Sequence, residues 1–306
     1  MPSSLSQPKL QYWFEALAVV LIWTSFIVLA RFAVKRTFTP YDLMFLRFAF
    51  AAGASACIVA WRLKQGEKPF SGTPFYQMLW LGFFGGVGMT VVAFIAFSYA
   101  PAAHGAVLMP GTLPFSAALF GWAILGEKVV GRKLLGLGFI LLGILFMAYQ
   151  AFTGVPHSAQ SWKGDLMFPF AAGSWAMYMV LSRKWGVKPL DAIVIIPLMA
   201  MLLFAPIYVA FLPKNLAATS WSDIIFHGAF QGWFAFMLAT WIFMRVMKVF
   251  GPVKTTMLTA WAPALAAIAA VPLLDEPLTI WVAAGLVCVS LGTIVGVMPS
   301  KAVVAT

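Results

Sequence analysis

The chain has 306 residues, of which 62% are hydrophobic, 16% aromatic and only 9% charged, and its mean hydropathy is +0.93. A soluble domain carries about 25% charged residues, so there is too little charge here to coat a water-soluble particle. Soluble enzymes, disordered tails and nucleic-acid modules are excluded, and a polytopic membrane protein remains.

A bilayer-spanning helix needs about 20 mostly apolar residues. Ten such stretches follow one another, at 13–33, 41–61, 75–98, 103–125, 133–152, 165–185, 190–212, 223–246, 254–273 and 279–298. The connectors are short and leave no room for a soluble domain. The expected fold is all-α, with ten transmembrane helices.

In chain order, the first span carries Glu15 near its start and Trp23 near its centre. At 1.5 Å per residue the eight residues between them put Glu15 about 12 Å from the centre, at the interface. Span 2 contains Arg47, six residues in. An ionisable side chain inside a span costs about 2.5–3.5 kcal/mol on insertion scales. Three roles are open to Arg47: snorkelling outward, pairing with Asp42, or meeting the carboxylate of a substrate. Gly82 and Gly86 in span 3 have the GxxxG spacing of close helix approach. His104, Pro110 and Pro114 lie in span 4, and Glu127 precedes span 5, where a carboxylate favours the positive end of the helix dipole. Span 6 holds Trp175 and Tyr178, three residues apart and so on one helix face. Span 8 holds His227, Gln231, Trp233 and Trp241, and span 9 holds Trp261 and Pro263. Glu276 precedes span 10, which contains Gly292 and Gly296 at GxxxG spacing. Trp13, Trp61, Trp162, Trp185, Trp221 and Trp281 sit near span ends, as interfacial belt residues do.

Charge placement sets the direction. With the N-terminus in the cytoplasm, the inner segments hold fourteen Lys and Arg and the outer segments five, the positive-inside pattern. An even span count then puts both termini inside. The net charge of +11 therefore reads as topological anchors facing anionic headgroups. Cys57 and Cys288 both lie in apolar runs and offer neither a disulfide framework nor metal-ligand spacing.

An internal repeat organises the ten spans. Pro114 to Glu127 is 13 residues, as is Pro263 to Glu276; Glu127 to Gly136 is nine, as is Glu276 to Gly285; Gly136 to Gly143 is seven, as is Gly285 to Gly292. Trp23 to Arg31 is eight residues, and so is Trp175 to Arg183. The halves are 1–152 (spans 1–5) and 153–306 (spans 6–10). Five is odd, so the second half enters the membrane from the opposite side, as in many secondary transporters with a midplane site between repeats.

The run GDLMFPFAAGSWAMYMVLSRKW (164–185), with a proline-containing span ending in a glutamate turn twice over (Pro114 to Glu127, Pro263 to Glu276), resembles the EamA branch of the drug/metabolite transporter superfamily. The resemblance covers nearly the whole chain. It implies two inverted five-helix repeats, a cavity open to one side at a time, and export of small metabolites across a bacterial inner membrane. The aromatic-rich spans look most like those of amino-acid exporters.

The expected substrate-binding residues are Trp23, Trp175, Tyr178, Trp241, Trp261, His104, Gln231 and Arg47. Aromatic faces with a few hydrogen-bonding tips suit an aromatic or amphipathic ligand through stacking and cation–π contact. Trp23 and Trp175 hold equivalent places in the two repeats and are expected to face a shared centre. No acidic residue occupies the middle of a span, so carboxylate-based proton exchange has no support. No HExxH pair and no GxxxxGK[ST] loop is present, so no enzyme activity, metal or cofactor is expected. The expected partners are a small-molecule substrate and the lipid bilayer, not nucleic acid, with the chain a monomer or homodimer. Export of another metabolite or drug-like compound, or a scaffold or receptor without transport, are the alternatives.

Overall fold

The structure is a computed structural model that describes residues 10–36, 38–100, 102–153, 160–262, 265, 268–269 and 280–298. Among these there is no strand. The helices are α1 (Leu10–Arg36), α2 (Pro40–Lys64), α3 (Phe75–Gly82), α4 (Met89–Tyr99), α5 (Ala102–Leu125), α6 (Arg132–Thr153), α7 (Ser161–Lys184), α8 (Pro189–Phe211), α9 (Trp221–Ala229), α10 (Ala239–Phe250), α11 (Pro252–Thr259) and α12 (Ile280–Val297). A π-helical segment, Phe83–Gly88, joins α3 to α4 without a break, and another, Phe230–Leu238, joins α9 to α10. Each of these runs crosses once, which gives ten helical spans where the sequence places them. The ninth is described to residue 262 and in isolated positions beyond; Pro263 and Glu276 lie outside the described residues.

Five of these spans are apolar and long enough to cross a membrane by length and composition alone, among them Pro40–Lys64, Pro189–Phe211 and Trp221–Phe250. Trp13, Trp61, Trp162, Trp221 and Trp281 are exposed near helix ends, as a membrane belt requires. Trp185 is half-buried instead, with its ring edge-on to Tyr76 at 6.3 Å. The end of the bundle where α1 begins is called here the near end, and the opposite one the far end.

Two pairs of equivalent helices meet across the repeats, beside the packing of α4 and α5 on α7. The first is α6 with α12. A Cβ added to Gly136 would lie 2.6 Å from the Gly292 carbonyl, and one added to Gly143 would lie 2.7 Å from that of Gly285. Gly136 and Gly285 correspond in the two repeats, as do Gly143 and Gly292. Each glycine therefore meets the counterpart of the other, which is how an antiparallel pair related by a twofold axis must contact. Only hydrogen side chains allow backbones this close.

The second pair is α2 with α8. Thr39 and Pro40 start α2 through a capping box: Thr39 Oγ1 accepts from the Asp42 N–H at 3.1 Å, and Asp42 Oδ2 accepts from the Thr39 N–H at 2.9 Å. Pro189 opens α8 at the equivalent place, with Asp191 at the third position, although Lys188 before it makes no side-chain capping bond. Asp42 and Asp191 are 149 residues apart, the repeat spacing, and both are buried. Asp42 takes the Tyr208 hydroxyl at 2.5 Å and the Asn215 N–H at 3.1 Å, tying the start of α2 to the end of α8. Asp191 accepts from Arg62 Nη1 at 2.6 Å, tying the start of α8 to the end of α2. One motif, used twice, fastens the pair at both ends.

Candidate functional site

Trp23 on α1 and Trp175 on α7 meet edge-to-face with ring centroids 6.4 Å apart. Phe243 on α10 touches both, at 5.3 Å from Trp23 and 6.1 Å from Trp175, and Tyr178 lies 4.8 Å from Trp175 on the same helix face. Edge-to-face and tilted pairs of this kind are favourable because ring edges carry positive and ring faces negative partial charge. Trp23 stays half-buried, Trp175 is buried and Tyr178 is fully enclosed. The Tyr178 hydroxyl and Ser182 Oγ, one turn apart, are both buried and neither makes a hydrogen bond of good geometry. A polar pair left unmatched inside an apolar centre is unusual.

The two π segments flank this centre. They occupy equivalent places: 83–88 shifted by 149 is 232–237, inside 230–238. π segments are rare and frequent at functional sites, because the extra residue per turn rotates side chains off the regular helical face. The first segment rests on Tyr178, with Ser174 Oγ donating to the Phe84 carbonyl at 3.0 Å. The second rests on α2, where Gly232 abuts the Arg47 carbonyl and Trp233 Nε1 donates to the Phe50 carbonyl at 3.0 Å.

Arg47 is half-buried between two rings, its Cζ 4.9 Å from the Phe26 centroid and 5.0 Å from that of Phe236. Of the three roles open to it, pairing with Asp42 does not occur, because the capping box, Tyr208 and Asn215 engage that carboxylate. Gln231 in the second π segment is buried, and its Nε2 has no acceptor. His227 is buried edge-on to Phe38 at 5.1 Å, with Nδ1 unpartnered. His104 lies in α5, and its side chain is outside the described residues.

Among the described residues no other tryptophan makes a ring contact with the central pair, although Trp241 packs against the same core. Trp241 lies under the Arg245 guanidinium, 4.8 Å from its centroid, and Arg245 holds Glu15 through two bonds of 2.7 and 3.2 Å. Glu15, expected as an interfacial anchor, is therefore a link between α1 and α10. Trp261 is half-buried and makes no ring contact among the described residues. Glu127, expected to favour the dipole of the following helix, lies in the non-helical stretch 126–130 and pairs with Arg183 at the end of α7. With Arg62–Asp191 and Glu15–Arg245 this makes three near-end ion pairs among the described residues, each joining a residue of the first half to one of the second.

Sequence reasoning did not single out Asp191, Arg62 or the π segments. The first had a signal available, since Pro-x-Asp recurs at 40–42 and 189–191 with the same 149-residue spacing as the glycines. The partners of Glu15 and Glu127 are 230 and 56 residues away and leave no local trace.

The sequence model of the EamA-like transporter family matches this chain twice, over residues 13–149 and 162–298. A solved crystal structure is similar with a TM-score of 0.71 and 19% identity, covering 93% of this chain and 96% of that one. No curated protein matches significantly. At that identity the structural likeness speaks for the fold alone.

Proposed function

The chain belongs to the EamA-like transporter family, a family of small-molecule transporters, and from that premise we propose that it exports aromatic or amphipathic amino acids by alternating access. The observation that carries this reading is the meeting of the equivalent residues Trp23 and Trp175 at the junction of the two repeats, with Tyr178 and Phe243 beside them. A midplane site between inverted repeats is where such transporters bind their cargo, and aromatic faces there take a hydrophobic side chain or an ammonium group. Trp241, Trp261 and His104 are secondary candidates along the path.

In this reading the repeats are 1–152 and 153–306, both termini are cytoplasmic, the membrane is a bacterial inner membrane, and the near end faces the cytoplasm. The distribution of Lys and Arg, fourteen inside to five outside, supports that direction. The fastened pairs α2–α8 and α6–α12 form the frame. The partly exposed ties Glu15–Arg245 and Glu127–Arg183 close the near end and break at small cost. Opening there, with rearrangement at the π segments, admits cargo from the cytoplasm.

Efflux from intact cells tests this. Bacterial cells preloaded with labelled phenylalanine and expressing the chain are expected to lose label faster than cells with empty vector. Efflux no faster than that of empty-vector cells for aromatic, aliphatic and sulfur-containing amino acids alike, with the protein verified in the membrane, would count against amino-acid export.

A further inference from the structure

Arg47 lies seven residues into α2, roughly 10 Å from the helix start, within an apolar span. An arginine presents five N–H donors, and among the described residues its guanidinium meets two rings and no hydrogen-bond acceptor or carboxylate. Two cation–π contacts offset only part of the cost of holding a cation there.

Repeat symmetry separates this charge from any packing requirement. At the spacing of 149, Arg47 corresponds to Ile196; at the spacing of 152 that relates Trp23 to Trp175, Phe26 corresponds to Tyr178. Ile196 and Tyr178 are both fully buried and both touch Gly85 of the first π segment. Arg47 meets the second π segment at Phe236, with Phe26 on its other side. Equivalent helices thus meet a π segment in both halves, at Gly85 in the first and at Phe236 in the second. One copy has an apolar isoleucine where the other carries a cation with free donors. Gln231, whose buried Nε2 has no acceptor, directly precedes Gly232, which abuts the Arg47 backbone.

We infer that Arg47 is an anion-binding subsite that receives the carboxylate of the transported molecule, with the Gln231 amide as a further donor beside it. This deepens the export reading and rests on it: the cargo must carry a carboxylate as well as an apolar body. Phe26 lies one turn beyond Trp23 on α1 and its ring centroid is 4.9 Å from Arg47 Cζ, so α1 carries both the aromatic pair and the ring against Arg47. Arginine suits this task because its planar fork matches a carboxylate bidentately.

The test uses the full chain in lipid nanodiscs and compares phenylalanine with phenylalaninamide, which keeps ring and ammonium but lacks the anionic group. The wild type is expected to bind the acid at least about tenfold more tightly than the amide, as losing a charge-assisted hydrogen-bond pair implies. Arg47→Gln is expected to bring that ratio to near one, and Arg47→Lys to leave it in between. A wild-type ratio within about twofold, or an unchanged ratio in a folded Arg47→Gln protein, overturns the assignment. If Arg47→Gln does not fold, the wild-type ratio decides alone. In a parallel liposome counterflow assay, carriage of phenylalaninamide as readily as phenylalanine overturns the Arg47 assignment and leaves a carrier standing; no binding in nanodiscs and no carriage of either overturns the export reading as well.

Discussion

Gly136 packs backbone to backbone against Gly292, seven residues beyond its own counterpart Gly285. That displacement is the signature of an antiparallel crossing about a twofold axis, and it makes small residues obligatory at this contact. Gly136→Ala is expected to destabilise by about 1–3 kcal/mol, as overpacking does, because its Cβ would fall 2.6 Å from backbone atoms on both Gly292 and Gly296. Gly138→Ala on the same helix, where a Cβ meets nothing within 4 Å, is the control and should leave the unfolding temperature unchanged or raise it. Thermal unfolding in nanodiscs checks both.

Arg62 and Asp191 form a buried ion pair, with side-chain exposures of 6% and 2%. Removing one partner strands the other, and Asp191→Asn or Asp191→Leu should cost about 3–5 kcal/mol. Replacing both by apolar residues of similar size should restore most of the loss. A double-mutant cycle on unfolding free energy reads the coupling, and additive losses would show that the pair does not fasten α2 to α8.

Glu15–Arg245 and Glu127–Arg183 behave differently because water reaches them. Glu127→Gln and Glu15→Gln are each expected to change stability by no more than about 1 kcal/mol, while changing efflux rate severalfold. A loss of stability matching that of Asp191→Asn, with transport untouched, would mark them as structural fasteners.

Trp175 and Trp122 separate cargo contact from aromatic content. Trp122 is 60% exposed on the outside of the bundle, whereas Trp175 is 7% exposed at its centre. Trp175→Phe keeps most of the volume, so it is expected to fold and to weaken phenylalanine binding severalfold; Trp122→Phe should bind as the wild type does. Equal affinities in a competition assay would remove Trp175 from the site.

Much of this architecture could be read from residue spacing. The ten spans follow from apolar runs, and the recurrence of Pro, Glu, Gly and Trp at fixed separations gave the repeat and the pairing of Trp23 with Trp175. Composition alone is a weaker guide: α7 carries Lys163, Asp165, Arg183 and Lys184 and is not among the five spans that stand out as apolar. It is a central helix whose buried face meets protein instead of lipid. The π segments had no sequence signal, since an added residue per turn leaves the apolar pattern intact. The surroundings of Arg47 were equally hidden, because whether Asp42 neutralises it depends on Tyr208, a residue 166 positions from Asp42.

Counterflow by the purified chain in liposomes is the most direct test of a carrier built from two inverted repeats. Liposomes loaded with unlabelled phenylalanine and diluted into labelled phenylalanine are predicted to accumulate label transiently above equilibrium, because a carrier exchanges cargo across one alternating site. Protein-containing liposomes that show no overshoot with any amino acid tested, while the same preparation unfolds cooperatively on heating, would contradict it.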